Sequence, residues 1–512
     1  MNNTTGSLPR DMRGVHIHFV GIKGTGMVAL VEILFARGAV ITGSDVSERF
    51  YTDDVLDKLG LKALPFGEKN ITNQIQYVIY SSAYNPQKNP DLIEASRRGI
   101  PMMLYSEALG AVSATAYSAG VCGVHGKTTT TGLVGTILEE LNFPAQVLAG
   151  SVISSFGDSC TMTSPACRTK GHTYFVAETC EYQRHFMAFC PQKIILTAVE
   201  SDHEDYYPTY NDIRDAFVDY ICKLPQHGQL IYCADEKGAV ETAGIAKSKR
   251  PDIELVPYGE KADGPYKLTF GKVENDKHYF TVQSIGECVL NVPGDHLVRN
   301  ANAAIALCCE LIKTDEKTNA KTAGISPEQI EKIKSALLKF TGGKRRSEVL
   351  GERMTPLGQS VLFIDDYGHH PTAIKTTLAG YREFYKGRKI IIDFMSHTYT
   401  RTAALLEDFA QSFDCADEVI LNKIYASARE DPSAANVTGE ILAEHAKKYH
   451  KHVTYCDEFD EAAAKGLELL SAPSTAPIDG KNSPYNKGYL FVTMGAGDNW
   501  KVGKKIMEKL NK

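Results

Sequence analysis

Short apolar runs that end in glycine or acid alternate with longer segments of helical period along most of this chain. Val15-His-Ile-His-Phe-Val20 runs into Gly21, Ala119-Gly-Val-Cys122 into Gly123, and Ser360-Val-Leu-Phe-Ile-Asp-Asp366 into Tyr367 and Gly368. Runs of this length read as strands buried on both faces. Each is followed by a segment with the period of a helix, as in 131–140 and from Pro371 to about Phe384. Strand–helix alternation predicts an α/β chain of mostly parallel sheets with helices on their faces. The pattern restarts three times, which places domains at 1–110, 111–342 and 343–512. Residues 265–292 alternate with period two instead and predict a small antiparallel β insertion in the middle domain. The Ser/Pro/Gly/Asn-rich stretch from Ser471 to Lys487 predicts a long surface loop before the last strand.

Composition narrows the class. A chain of 512 residues exceeds one ordinary core, and 43% apolar with 23% charged residues is the balance of a soluble globular protein. A net charge of −6, with no basic stripe interleaved with aromatics, predicts no nucleic-acid partner. The twelve cysteines include no C-x-x-C, so they read as reduced, mostly buried thiols. No apolar run approaches the ~18 residues of a membrane span. Met1-Asn-Asn-Thr-Thr5 has neither a basic nor an apolar leader region. The expectation is a cytoplasmic protein with no membrane partner, a monomer or homodimer.

The chemistry concentrates at strand ends. Gly123-Val-His-Gly-Lys-Thr-Thr-Thr-Thr131, between a strand and a helix, has the make-up of a phosphate cradle. Backbone N–H groups face the anion, Lys127 reaches the terminal phosphates, and Thr128 offers a hydroxyl to Mg²⁺. Val121 stands where the usual P-loop has its first glycine. A second loop, Gly21-Ile-Lys-Gly-Thr-Gly-Met27, also joins a strand to a helix; Gly24, Gly26 and Ala29 satisfy G-x-G-x-x-[GA]. Asp45 ends the next strand, where a ribose-binding carboxylate belongs in a Rossmann-like unit. Alone, this second loop reads as a dinucleotide-binding dehydrogenase. Two phosphate loops in one chain point instead to two nucleotides, one of them carrying the substrate.

Downstream, Val176-Ala-Glu-Thr-Cys-Glu181 and Thr197-Ala-Val-Glu-Ser-Asp-His203 place acids and a histidine at consecutive strand ends. In doubly wound sheets these ends line the ligand crevice. Thr128, Glu181 and His203 make a ligand set for Mg²⁺ or Mn²⁺. His296 and Asn300 precede a helix at 301–311 and read either as nucleotide contacts or as its cap. Gly342-Gly-Lys-Arg-Arg346 brings guanidinium forks to a domain junction. Asp365-Asp-Tyr-Gly-His-His-Pro371 ends what reads as the first strand of the last domain. With no third ligand near in sequence, His369 and His370 read as orienting groups rather than a metal pair. Arg401, in His397-Thr-Tyr-Thr-Arg-Thr402, suits a small carboxylate.

In this order, from about Val15 to Gly497, these motifs resemble the Mur ligases, the ATP-dependent amino-acid ligases of peptidoglycan synthesis. The resemblance implies an N-terminal Rossmann-like domain for a UDP-sugar, a central P-loop-type ATPase domain and a C-terminal Rossmann-like domain for the amino acid. It implies ATP contacts at Gly123, His125, Gly126, Lys127, Thr128, Thr129, His296, Asn300, Arg346 and Asp366, with Lys127, Glu181 and His203 catalytic. UDP-sugar contacts are implied at Gly24, Thr25, Gly26, Met27, Ser44, Asp45, Ser81 and Ser82, and amino-acid contacts at His369, His370 and Arg401. Several sister ligases carry a carbamylated lysine after the metal histidine. Val218 stands about there, which fits the branch that adds L-alanine to UDP-N-acetylmuramate, and Ser347 replaces a common aromatic after the arginine pair. Other readings remain: a ligase attaching recycled murein peptide to the same UDP-sugar, a glutamate-adding ligase, a regulatory protein with an inert ATPase, and an NAD-dependent oxidoreductase.

Overall fold

The computed structural model describes residues 7–171, 173–203, 206–318, 324–426, 436–471 and 485–510. It has three α/β domains. The first sheet is parallel, with strands β1 (His16–Val20), β2 (Val40–Ser44), β3 (Tyr77–Tyr80) and β4 (Met102–Leu104) in the order β2-β1-β3-β4. The helix Tyr105–Ser113 carries the chain onward.

The middle sheet has strands β5 (Tyr117–Cys122), β6 (Ala145–Ile153), β7 (Ser159–Thr163), β8 (Tyr174–Glu178), β9 (Lys193–Leu196), β10 (Gln229–Cys233) and β11 (Glu254–Tyr258). Their order is β11-β10-β9-β5-β8-β6-β7, parallel except for the edge strand β7. β5 lies between β9 and β8, so chain order reverses around it and the ends of these three strands open a crevice. The period-two stretch forms β12 (Leu268–Glu274), β13 (Lys277–Val282) and β14 (Gly286–Leu290), an antiparallel sheet as expected.

The last sheet has strands β15 (Glu348–Met354), β16 (Ser360–Asp366), β17 (Lys389–Met395), β18 (Glu418–Leu421), β19 (Val453–Tyr455) and β20 (Tyr489–Gly495), in the order β15-β16-β20-β17-β18-β19. β16, not β15, was read as its first strand. β15 is an antiparallel edge strand whose Gly351, charges and exposed Val349 and Met354 hide it among loop-like residues. Two helices also start earlier than their apolar periodicity. Lys127–Glu140 takes in the threonine run, where Thr131 Oγ1 donates to Lys127 O at 2.9 Å, and so gives its hydroxyl a partner inside the helix. Asp295–Thr318 begins on an acid that suits a helix N-terminus, which puts His296 and Asn300 inside the helix rather than ahead of it. Of the expected loop from Ser471 to Lys487, residues 472–484 lie outside the described residues.

One continuous apolar core runs from the first sheet through the middle domain, whereas the C-terminal sheet has its own apolar layers on its two faces. All twelve cysteines are free thiols, and Cys180 is among the few that are exposed. Among the described residues, no helix is long and apolar enough to cross a membrane.

Asp393 on β17 is fully buried, and its carboxylate accepts from Asn422 Nδ2 (2.9 Å) and Asn499 Nδ2 (3.1 Å). Burial pushes it up to about 7, against 3.8 for a free aspartate. Between those values the folded chain keeps a proton that the unfolded chain has lost. The stability tied to this group is therefore full below the lower value and lost as pH rises through the upper one. Asp393→Asn is expected to flatten the fall in urea midpoint between about pH 4 and pH 7 and to stabilise the protein at pH 8 by about 1–3 kcal/mol. An unchanged slope would refute this account of Asp393.

Candidate active site between the middle and C-terminal domains

The phosphate loop leaves β5 in a conformation that needs its glycines. Gly123 has φ +132°, and a Cβ there would lie 2.1 Å from Thr197 Oγ1; Gly126, with φ +82°, starts the helix Lys127–Glu140 hard against Asn300. Lys127 Nζ donates to Gly123 O (2.6 Å) and to both oxygens of Glu181 (3.0 and 2.9 Å). His203 Nε2 lies 3.4 Å from Glu181 Oε1. Burial raises the Glu181 carboxyl, but the Lys127 ammonium and the His203 imidazole outweigh it and hold it below the usual range. Burial alone would lower His203, yet Glu181 and Asp202 raise it. Thr128 Oγ1 donates to Glu178 Oε1 at 3.1 Å, and Glu178 Oε2 accepts from the Gly150 N–H.

These groups line a cavity of about 590 Å³ that reaches into the C-terminal domain. From the middle domain it is lined by His125, Gly126, Lys127, Thr128, Thr129, Glu181, His203, His296 and Asn300. From the C-terminal domain come Arg346, Asp366, His369 and Arg401. Two candidates do not line it. Gly123 lies behind the loop, and His370 caps the helix Pro371–Phe384 by accepting the Thr372 N–H at Nδ1.

The arginine pair divides its roles. Arg345 is tied to Asp365 (2.8 Å) and to the carbonyls of Gly495 and Gly497, while Arg346 lies over the Tyr367 ring, 5.0 Å from its centroid, on the cavity wall. Arg345, Ser347 and His203 all have φ between +51° and +59°, a left-handed conformation that costs about 1–3 kcal/mol outside glycine. Ser347, where an aromatic was expected, donates its N–H to Asp366 Oδ2 at 2.7 Å and takes the Tyr381 hydroxyl at 2.9 Å.

Arg401 donates through Nε and Nη2 to Asp202 Oδ1 (3.1 and 2.6 Å) and through Nη1 to His397 O (2.8 Å), so it bridges the two domains. Burial would raise Asp202, but Arg401 holds it far below the carboxylate range. His369 is pushed well down, chiefly by burial and then by Arg401, and is neutral. Its Nδ1 faces Tyr367 O at 2.9 Å and must carry the proton, which leaves Nε2 as an acceptor. Burial pushes His296 down to about 4, and its Nδ1 has no partner. The sequence reading missed Asp235 and Arg299, an ion pair at 3.1 Å on the cavity wall, and Thr376 on the Pro371–Phe384 helix. Asp235 sits just past the end of β10, so the strand-end rule would have found it.

A second cavity, of about 270 Å³, opens at the N-terminal loop and is lined by Gly24, Thr25, Gly26, Met27, Ser81 and Ser82, with Tyr105 and His185 from beyond the first sheet. Ser44 and Asp45 do not line it. Asp45 instead braces the loop, accepting from the N–H groups of Lys23 (2.7 Å) and Val46 (2.8 Å) and from the Tyr84 hydroxyl (2.9 Å).

A strand-end crevice holding a phosphate loop, faced by cations and histidines from a separate α/β domain, defines a nucleotide-dependent enzyme of the Mur ligase type. Residues 16–117 match the Mur ligase family, catalytic domain; 121–308 the Mur ligase middle domain; and 345–480 the Mur ligase, glutamate ligase domain. The chain belongs to the Mur ligase family. It is 47% identical over 501 residues to a UDP-N-acetylmuramate–L-alanine ligase of Treponema pallidum (strain Nichols), covering 98% of this chain and 97% of that one. It is 33% identical over 491 residues to the enzyme of that name from Borreliella afzelii (strain PKo), covering 95% and 97%. Among solved structures, a UDP-N-acetylmuramate-alanine ligase from Thermotoga maritima shares the fold, with a TM-score of 0.70 at 23% identity over 97% of this chain and 99% of that one.

Proposed function

We propose that this chain is an ATP-dependent ligase that joins L-alanine to the lactyl carboxylate of UDP-N-acetylmuramate in peptidoglycan precursor synthesis. The observation that carries this reading is the single cavity in which the phosphate loop meets His369 and Arg401 of the C-terminal domain. The full-length relatives that bear the name of this activity support it. ATP and a UDP-sugar as substrates support a cytoplasmic location.

The domains divide the work as 1–110 for the UDP-sugar, 111–342 for ATP and 343–512 for the amino acid. Gly24, Thr25, Gly26 and Met27, with Ser81 and Ser82, hold the UDP end, and Ser44 and Asp45 shape that loop from behind. The helix Lys127–Glu140 presents its free N–H groups and Lys127 to the triphosphate, while His296, Asn300, Arg346 and Asp366 hold the nucleotide's remaining edges. A hydroxyl, a carboxylate and an imidazole at Thr128, Glu181 and His203 fit Mg²⁺ or Mn²⁺. Lys127 already puts a positive charge against Glu181. The bound ion would supply neutralisation of the phosphoryl charge.

The lactyl carboxylate attacks the γ-phosphorus and ADP leaves. The alanine amine then adds to the acyl phosphate carbonyl, phosphate departs and the amine loses its proton. His369 Nε2 accepts an N–H of that amine and orients its lone pair, while Arg401 fixes the amino-acid end; His370, behind the cavity wall, sets the start of the helix Pro371–Phe384 instead of touching the amino acid. Val218, buried in the helix Tyr210–Ile221, offers no carbamylated lysine and accords with the alanine-adding branch.

Phosphate release from ATP is expected to require UDP-N-acetylmuramate and an amino acid together, with L-alanine preferred over glycine, L-serine and murein tripeptide. Turnover indifferent to the UDP-sugar, or preferring the tripeptide, would defeat this reading.

A further inference from the structure

No third ligand lies near His369 and His370 in sequence, but the fold brings His370 two ligand partners from elsewhere. His125 from the phosphate loop and Glu200 from beyond β9 meet it across the domain junction. Among the described residues, these three form the one group of His, Cys, Asp or Glu side chains whose ligand atoms all lie within 4.8 Å of one another. His125 Nε2 lies directly against Glu200 Oε1, His370 Nδ1 is 3.9 Å from the same oxygen, and the two imidazole rings are 4.9 Å apart. His370 is 5% exposed, and its Nε2 is buried without a hydrogen-bond partner. Glu200 is held from the other side by the Thr372 hydroxyl, 3.1 Å from Oε2.

We propose that His125, Glu200 and His370 form a binding site for a divalent transition-metal ion, separate from the magnesium ligands at Thr128, Glu181 and His203, and that the ion staples the C-terminal domain to the phosphate loop. Two imidazoles and one carboxylate favour Zn²⁺, Co²⁺ or Mn²⁺ over Mg²⁺, which prefers oxygen ligands and water. With metal–nitrogen distances of about 2.0–2.1 Å, a tetrahedral ion sets its ligands about 3.4 Å apart. His125 and Glu200 also line the ligand cavity, so the remaining coordination position faces a space open to water or substrate. The middle domain supplies two ligands and the C-terminal domain one, so the site is complete only when the domains meet. A bound ion therefore favours the closed arrangement by mass action.

Cobalt(II) is the probe, added to the nucleotide-free full-length chain in excess Mg²⁺ and followed by visible absorption and titration calorimetry. One equivalent is expected to bind with the intense absorption of a low-coordinate imidazole site. In Arg401→Ala, which lacks the Arg401–Asp202 pair across the domain junction, the scattering radius should shrink as it binds. Glu200→Gln and His370→Asn should each weaken binding by more than about tenfold, and His203→Asn should leave it unchanged. Thermal unfolding checks that each variant folds, and His125→Asn replaces either one that does not. Absorption that survives all three substitutions, or that vanishes in His203→Asn, would overturn the proposal. So would an absence of binding, which would leave the three residues as a hydrogen-bonded contact between domains.

Discussion

Lys127→Ala is expected to lower ATP turnover by at least about a thousandfold while UDP-sugar binding survives. The ammonium has two tasks that no neighbour takes over. Without nucleotide it neutralises Glu181, which is only 1% exposed and whose other partner is the His203 imidazole at 3.4 Å. Burial works against the charge on Lys127, but Glu181 more than offsets this and raises it, so the side chain is charged at any physiological pH. In the proposed complex with ATP, the same charge would meet the phosphoryl group. Lys127→Arg should not rescue turnover, because a planar fork does not fit where a point charge is held against Gly123 O and both Glu181 oxygens. In the proposed division of the nucleotides, UDP-sugar binding falls to the loop at Gly24 on another sheet. Phosphate-release kinetics and calorimetry with the UDP-sugar separate the two effects. Loss of both in a folded variant would mean that the loops do not divide the nucleotides as proposed.

Arg401→Ala is expected to open the molecule as well as to weaken amino-acid use. Arg401 and Asp202 are 6% and 4% exposed, and removing the guanidinium leaves the buried carboxylate with the His203 N–H (2.8 Å) and the His203 imidazole (3.8 Å) but without its only guanidinium partner, a cost of up to about 3–5 kcal/mol. Asp202 can escape that cost by gaining water, which requires the domains to part. Small-angle scattering should therefore show a larger radius of gyration, and the KM for L-alanine should rise more than the KM for ATP. In Arg401→Ala/Asp202→Ala the buried charge is gone, so the compact radius should return while amino-acid use stays impaired. If the single variant scatters like the parent, the pair does not hold the domains together. If the double variant regains normal L-alanine kinetics, Arg401 does not touch the amino acid.

Local signals made much of this protein legible. The two glycine loops could be placed because each follows an apolar run and opens a helix, a context that short-range sequence carries in full. The helix Pro371–Phe384 and the strand Ser360–Asp366 were found at their observed bounds for the same reason. β15 was not found, because an edge strand buries little and its alternation dissolves into charge and glycine. The start of the Asp295–Thr318 helix was misplaced because the cavity-lining His296, Arg299 and Asn300 interrupt the apolar pattern that buried Leu297 and Val298 begin.

Asp45 shows where motif spacing stops being informative. The residue type and distance suit a ribose contact, yet the carboxylate instead accepts from the loop's Lys23 N–H, from its neighbour Val46 N–H and from the Tyr84 hydroxyl. Arg345 and Arg346 are adjacent and chemically alike; the left-handed backbone at Arg345 and the carbonyls at the end of β20 decide which of them faces the cavity. By itself, the sequence determined three α/β domains, a glycine-rich strand-to-helix loop at Gly123–Thr131, a second one at Gly24 and the acids and histidines at the strand ends. Those follow from periodicity and turn chemistry, which act over a few residues. The pairing of Arg401 with Asp202, and the meeting of His125, Glu200 and His370, were decided only by how the last domain docks on the middle one. Those residues are 199 positions apart in the first case, and no local rule reaches across a domain boundary.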